Sequence, residues 1–169
     1  MTSEDERMVE RLEASVGEID RVIRDLRNYI FGLRPGILAD RQLDEALHVL
    51  AAEFEERSGV VTAVDVDEEV AAELSSSAND VLQIAREALS NVGRHAEAET
   101  CRLSLRRNGD RAVLEVDDDG KGFDVHTAGR GDGLSNIERR AADLGAEVDL
   151  ESVAAKGTVL RLSVPLSGY

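Results

Sequence analysis

Between Val116 and Gly133 the chain reads Val-Asp-Asp-Asp-Gly-Lys-Gly-Phe, then seven residues of polar loop, then Gly131-Asp132-Gly133 at the head of a new helical pattern. No other stretch constrains the fold as strongly. A carboxylate run closes an apolar, strand-like segment, and two glycine pairs follow, so the backbone can approach a flat or phosphorylated ligand closely. Taken alone a Gly-x-Gly pair is more often an ordinary turn. The site reading strengthens upstream, where Glu87, Asn91 and His95 recur at spacings of four. That spacing places a carboxylate, an amide and an imidazole along one face of a helix whose other residues are largely apolar.

Taken together, these stretches resemble the ATP-binding domain of sensor histidine kinases, within the superfamily that also holds gyrase and the mismatch-repair ATPases. Glu87-x-x-x-Asn91 followed by Arg94-His95-Ala96 looks like that family's N box. Asp118-x-Gly120-x-Gly122-Phe123 looks like its first glycine box, and Gly131-x-Gly133-Leu134 like its second. The likeness continues through Gly157-Thr158 and covers about Leu38 to Leu166, with all elements in the family order. Four ordered elements are far more specific than any one of them. The loop between the glycine boxes is short and lacks the phenylalanine-bearing box of many histidine kinases. With Leu33-Arg34-Pro35 and Arg86-Glu87-Ala88-Leu89, this resembles the subfamily that partners helix-turn-helix response regulators.

The resemblance implies an α+β fold: a two-layer α/β sandwich of Bergerat type, with a mixed, mostly antiparallel sheet and helices on one face. It implies ATP and Mg²⁺ as ligands. Asn91 would bind the metal through its side-chain oxygen, and Glu87 would hold a metal-bound water or polarise an attacking group. Asp118 would accept a hydrogen bond from the adenine amino group, with Thr158 in support and Asp119 facing solvent. Gly120 and Gly122 would turn the chain beneath the base. Gly131, Gly133 and Leu134 would offer the start of the next helix to phosphate, whose oxygens Arg94 and His95 would also contact.

Composition sets the outer limits. A chain of 169 residues with 42% hydrophobic content supports one well-cored domain plus an appendage. Aromatics are 3% with no Trp, so Leu, Val, Ile and Ala must fill the core. A net charge of -15 argues against nucleic acid or an anionic membrane as the main partner. ATP is an anion too, so a local positive patch must act against the global field, and Arg94, Lys121 and Arg130 are its candidates. Cys101 sits at an alternating strand position and reads as a buried, reduced thiol. No run approaches the roughly 18 to 20 apolar residues of a membrane span, and the expected location is cytoplasmic.

In chain order, Val9, Leu12, Val16, Ile19, Ile23, Leu26, Ile30 and Leu33 alternate by three and four, the seam of a parallel coiled-coil dimer. The domain reading is therefore a dimerisation helix over residues 1–36, ended by Pro35 and Gly36, and an ATP-binding domain over 37–169. In the resembled family that helix is the second of a phosphotransfer bundle. The first, which carries the acceptor histidine, has no counterpart here. His48 reads as a surface or structural residue, His95 belongs to the N box and His126 to the loop, so none is an acceptor.

Further along, Asp40 is the expected cap of a helix from Arg41 to about Arg57, Gly59 its stop, and Val60 to Val66 a strand. An acidic connection or short helix follows over Asp67 to Ser75, and Ser75 to Ser77 would cap the helix from Asn79 to His95. Within that helix Gly93 costs about 1 kcal/mol relative to Ala, which the close approach of another backbone or simple tolerance of the cost would explain equally well. Cys101 to Arg106 and Arg111 to Val116 read as a hairpin closed by Asn108-Gly109 in a type I′ turn. Leu134, Ile137, Ala141 and Leu144 mark a helix that Gly145 ends, and a last hairpin turns at Lys156-Gly157. The expected function is donation of the ATP γ-phosphoryl group to a histidine on another segment or chain, for relay to a response regulator. The alternatives are a non-catalytic ATP-binding dimerisation partner that modulates a full kinase and, more weakly, an anti-sigma serine kinase.

Overall fold

The computed structural model describes residues 42–123 and 132–166. The seam from Val9 to Leu33, the Pro35-Gly36 linker, Asp40, His126, Arg130 and Gly131 lie outside the described residues.

Helix α1 (Leu43–Ser58) buries Leu43, Ala46, Leu47, Leu50, Ala51 and Phe54 along one stripe. It starts later than the sequence suggests. Gln42 is the N-cap residue and makes no side-chain bond, while its carbonyl accepts the first helical bond from the Ala46 amide at 3.0 Å. Asp44 and Glu45 in the first turn suit the positive end of the helix dipole. Gly59, at φ 75°, ends the helix as expected.

Strand β1 (Val61–Val66) lies at the sheet edge, and the Glu55 carboxylate accepts the Thr62 amide at 2.9 Å. Capping that amide blunts an edge that would otherwise invite another strand. The crossover to β2 begins with α2 (Glu68–Glu73), whose Asp67 cap accepts the Glu69 and Val70 amides at 3.0 and 3.2 Å. Ser75–Ser77 then forms a 3₁₀ turn. The expectation that these serines cap the next helix fails, because Ser77 sits at φ -107°, ψ 2° and makes no capping bond. A capping side chain needs the extended backbone that Asp67 has.

Helix α3 (Ala78–Asn91) buries Val81, Leu82, Ile84, Ala85, Ala88 and Leu89. It stops short of the expected His95. Val92–Ala96 is instead a single π turn, left through Glu97 at φ 53°. Gly93 faces the Phe54 ring, 3.0 Å from where a Cβ would stand, so its close neighbour is a side chain of α1 and not a backbone.

The antiparallel pair β2 (Thr100–Asn108) and β3 (Arg111–Asp118) follows. Asn108 pairs with Arg111, so the loop is Gly109-Asp110, one residue beyond the expected turn. Only Gly109 has positive φ, the pattern of a II′ rather than a I′ turn. Helix α4 (Asp132–Asp143) buries Ile137 and Ala141, and the hairpin of β4 (Glu147–Val153) and β5 (Gly157–Pro165) completes the domain.

The sheet order is β1-β2-β3-β5-β4, with β1 parallel to β2 and every other pair antiparallel. Leu103, Leu105, Leu114, Val116, Leu160 and Leu162 point inward to meet the buried stripes of α1, α3 and α4. The opposite face carries ion pairs: Arg161 meets Glu115 at 2.7 Å and Glu151 at 2.5 Å, and Arg106 pairs with Asp65. One dry face and one wet face make the expected two-layer sandwich.

Candidate functional site

The buried stripe of α3 leaves Glu87 and Asn91 on the side facing α4, where each is half-buried. At Gly133, in the first turn of α4, a Cβ would stand 2.5 Å from Glu87 Oε1 and 3.1 Å from Asn91 Oδ1. Only a residue without a side chain lets the two helices meet there with both polar groups in place. Seven residues further along α4, Arg140 pairs with Asp80 at 3.1 Å, so α3 and α4 run antiparallel and are pinned at both ends.

The π turn then carries the chain from α3 to the glycine loop. A π turn advances less per residue than an α turn, so His95 leaves the strict row of Glu87 and Asn91 and is exposed. Arg94 folds back onto Glu87, Nη2 to Oε1 at 3.3 Å, and its Nε donates to the Ser90 carbonyl at 3.2 Å. Ala96 ends the turn against the loop after β3. Its carbonyl accepts the Lys121 amide at 2.7 Å, and a Cβ at Gly120 would stand 2.7 Å from the Ala96 methyl. Gly120 is therefore required by close approach. Lys121 holds Glu97 at 2.6 Å.

Asp118 ends β3 on the inner face and is only 6% exposed. Its Oδ1 accepts the Gly120 amide at 2.9 Å. Burial pushes its pKa up, partly offset by the amides of Gly120 and Thr158 and reinforced by the neighbouring Asp117 and Asp119. In the β3–β5 register Asp118 stands opposite Thr158. Asp119, expected to face solvent, is exposed, but its carboxylate is engaged. It accepts the amides of Glu99 and Thr100 at 2.9 Å each and the Thr100 hydroxyl at 2.7 Å, and the Thr100 bonds depress its pKa. Gly122, at φ 57°, packs on the Val153 carbonyl, and the Phe123 amide donates to Ser152 Oγ at 2.9 Å.

The expected residues thus form two groups joined at Ala96. Glu87, Asn91, Arg94 and Gly133 make one; Asp118, Gly120, Gly122 and Thr158 make the other. Leu134 is half-buried on α4. Arg86, next to Glu87, turns toward α1, where burial lowers its pKa and Glu53 raises it. Burial drives the Cys101 thiol up to about 12, so it is the inert core thiol expected. His48 is on the surface, its Nδ1 2.8 Å from the Asp44 carbonyl.

Two residues have structural parts here to which the sequence assigned no role. Ala96 appears there only as the last residue of the N-box motif, and its part is played by backbone and a methyl group. Ser152 does carry a signal: it is a hydroxyl at the inward position of a strand whose preceding inward residues are Val148 and Leu150.

Among the described residues the fold is a one-sided α/β sandwich whose sheet ends in a buried carboxylate, beside a glycine loop and the polar face of an inward-packed helix. The chain belongs to the family of histidine kinase-, DNA gyrase B- and HSP90-like ATPases, whose description matches residues 76–168. It is similar to the sensor histidine kinase MctS of Rhizobium johnstonii, 35% identical over 161 residues, covering 92% of this chain and 34% of that protein. It is also similar to the sensor histidine kinase LiaS of Bacillus subtilis, 29% identical over 164 residues and covering 96% of this chain and 45% of that protein. The chain therefore spans less than half the length of these relatives. Among solved structures, the blue-light activated histidine kinase EL346 of Erythrobacter litoralis shares the fold at a TM-score of 0.70 and 20% identity, covering 89% of this chain and 50% of that one. Among the described residues no helix is long and apolar enough to cross a membrane.

Proposed function

We propose that this chain binds ATP with Mg²⁺ and donates the γ-phosphoryl group to a histidine carried by another segment or another chain, for relay to a response regulator. The observation that carries the reading is the meeting of Glu87 and Asn91 with the first turn of α4 at Gly133, next to the loop that buries Asp118. The oxygens of Asn91 and Glu87 are hard donors suited to Mg²⁺. When bound, Mg²⁺ would neutralise phosphate charge.

The remaining work falls to the chain's own groups. The Asp118 carboxyl oxygen takes a hydrogen bond from the exocyclic amine of adenine. The amides at the start of α4 face phosphate with the favourable end of the helix dipole. Arg94 leaves Glu87 for a phosphate oxygen, which frees the Glu87 carboxylate to orient a water or polarise the incoming imidazole. Phosphoryl transfer asks mainly for positioning and charge neutralisation, which this arrangement supplies without a covalent step on the protein. The dimer through Val9 to Leu33 and the pairing with a helix-turn-helix regulator belong to the same reading.

The test is transfer of label from γ-labelled ATP to a phosphotransfer bundle that bears a histidine. Transfer that vanishes in Asn91→Ala supports the kinase reading. Tight, magnesium-dependent ATP binding with no transfer to any bundle would leave the chain as a nucleotide-binding partner, and equal affinity for ATP and GTP would overturn the adenine assignment.

A further inference from the structure

The inner row at one end of the sheet is polar across three strands. Ser152 on β4 stands opposite Thr158 on β5, which stands opposite Asp118 on β3. Three contacts converge on the Ser152 hydroxyl: the Phe123 amide at 2.9 Å, the Gly157 carbonyl at 3.2 Å and the Thr158 hydroxyl at 2.9 Å.

A hydroxyl has one proton to give and two lone pairs. The Gly157 carbonyl can only accept, so the Ser152 proton goes there. The Phe123 amide can only donate, so it takes one lone pair. The second lone pair is left for Thr158, which must then supply its own proton. This assignment alone makes all three contacts hydrogen bonds at once. It commits the Thr158 proton to Ser152 and leaves Thr158 Oγ1 with nothing but lone pairs for anything else it meets, beside a carboxylate that is also an acceptor.

We propose that Ser152 is a positioning residue that sets base specificity: by taking up the Thr158 proton it makes that hydroxyl an acceptor, so that Thr158 and Asp118 together favour a purine with an exocyclic amine and disfavour one with a carbonyl oxygen in its place. The inference rests on the adenine-nucleotide reading above. Without Ser152, the Thr158 rotor is free to turn and donate, and a carbonyl is no longer met by acceptors alone.

Calorimetric titration with ATP and with inosine triphosphate tests this on the full chain. The wild type is expected to prefer ATP, Ser152→Ala to reduce that preference about tenfold, and Ser152→Thr, which keeps a hydroxyl, to retain it. In a Thr158→Val background no donor remains, so adding Ser152→Ala is expected to leave the preference where Thr158→Val alone puts it. Equal losses of affinity for both nucleotides in Ser152→Ala would mean that Ser152 only props the Phe123 amide, and would overturn the proposal. A shift of the preference in the Thr158→Val background would overturn it as well. Failure of the wild type to bind ATP would instead bring down the nucleotide reading itself.

Discussion

Asp118 is a carboxylate almost wholly removed from water, held there by two amides and crowded by Asp117 and Asp119. Its folded pKa lies above that of an unfolded aspartate, so the native state binds the proton more tightly than the unfolded state does. Stability from this residue is therefore greatest in acid and falls as pH rises from the ordinary aspartate range through the raised folded value. Asp118→Asn keeps an oxygen for the Gly120 amide and removes the charge. It is expected to raise stability at pH 7, with the gain disappearing below the ordinary aspartate pKa, while ATP affinity falls at least about tenfold. Urea melts at pH 7 and in acid, run beside ATP calorimetry, check both halves. A variant less stable than the wild type at pH 7 would show that the buried charge is a net support of the fold. Asp119, one residue on, has the opposite sign: its pKa is depressed by the Thr100 bonds, and what it contributes is lost as pH falls through that lowered value.

At the scale of elements, the meeting of α3 and α4 forms what the proposed function assigns as the phosphate end of the site. Ala is favoured over Gly in a helix by about 1 kcal/mol, so by propensity alone Gly133→Ala should stabilise α4. The methyl would instead arrive 2.5 Å from Glu87 Oε1 and 3.1 Å from Asn91 Oδ1 and push both aside. The expected outcome is a melting temperature within a few degrees of wild type, together with a loss of magnesium-dependent ATP affinity of about tenfold. Unchanged affinity would show that the helices separate without consequence for the ligand. The elements themselves were legible, because a 3.6-residue or two-residue hydrophobic period is a local property: α1, α3 and α4 and the inward residues of β2, β3 and β5 follow it closely. The misses fall where the determining contact is distant in sequence. The π turn at Val92–Ala96 is not written in any local period. It ends where Ala96 meets Gly120 and Lys121, and Gly93 within it packs on Phe54. Asp119 reads as a surface carboxylate until β2 brings Thr100 beside it, and Ser152 acquires three partners only when the last hairpin closes. Ser75–Ser77 and the Gly109 turn depart from the sequence expectation by a smaller margin, since residue type there fits more than one backbone geometry.

For the whole molecule the governing quantity is a net charge of -15 acting on a ligand that is itself an anion. Among the described residues the candidate cations do not stand free: Arg94 is bonded to Glu87 and Lys121 to Glu97. At a distance beyond the first few ångströms an approaching nucleotide therefore meets a repulsive field, while attraction begins only once Arg94 exchanges its carboxylate partner for phosphate. The Debye length shrinks from about 30 Å at 0.01 M salt to about 8 Å at 0.15 M, so added salt removes the long-range repulsion before it touches contact-range attraction. The association rate for ATP is accordingly expected to rise roughly two- to fivefold between those ionic strengths, opposite to the fall seen where a basic cleft steers an anion inward. Stopped-flow mixing with a fluorescent ATP analogue reads this directly. Glu87→Gln supplies the internal control: with Arg94 released from its ion pair, the local field turns positive and the salt dependence should flatten or reverse. A wild-type rate that falls with salt would mean that the basic residues around the site already outweigh the charge of the molecule as a whole.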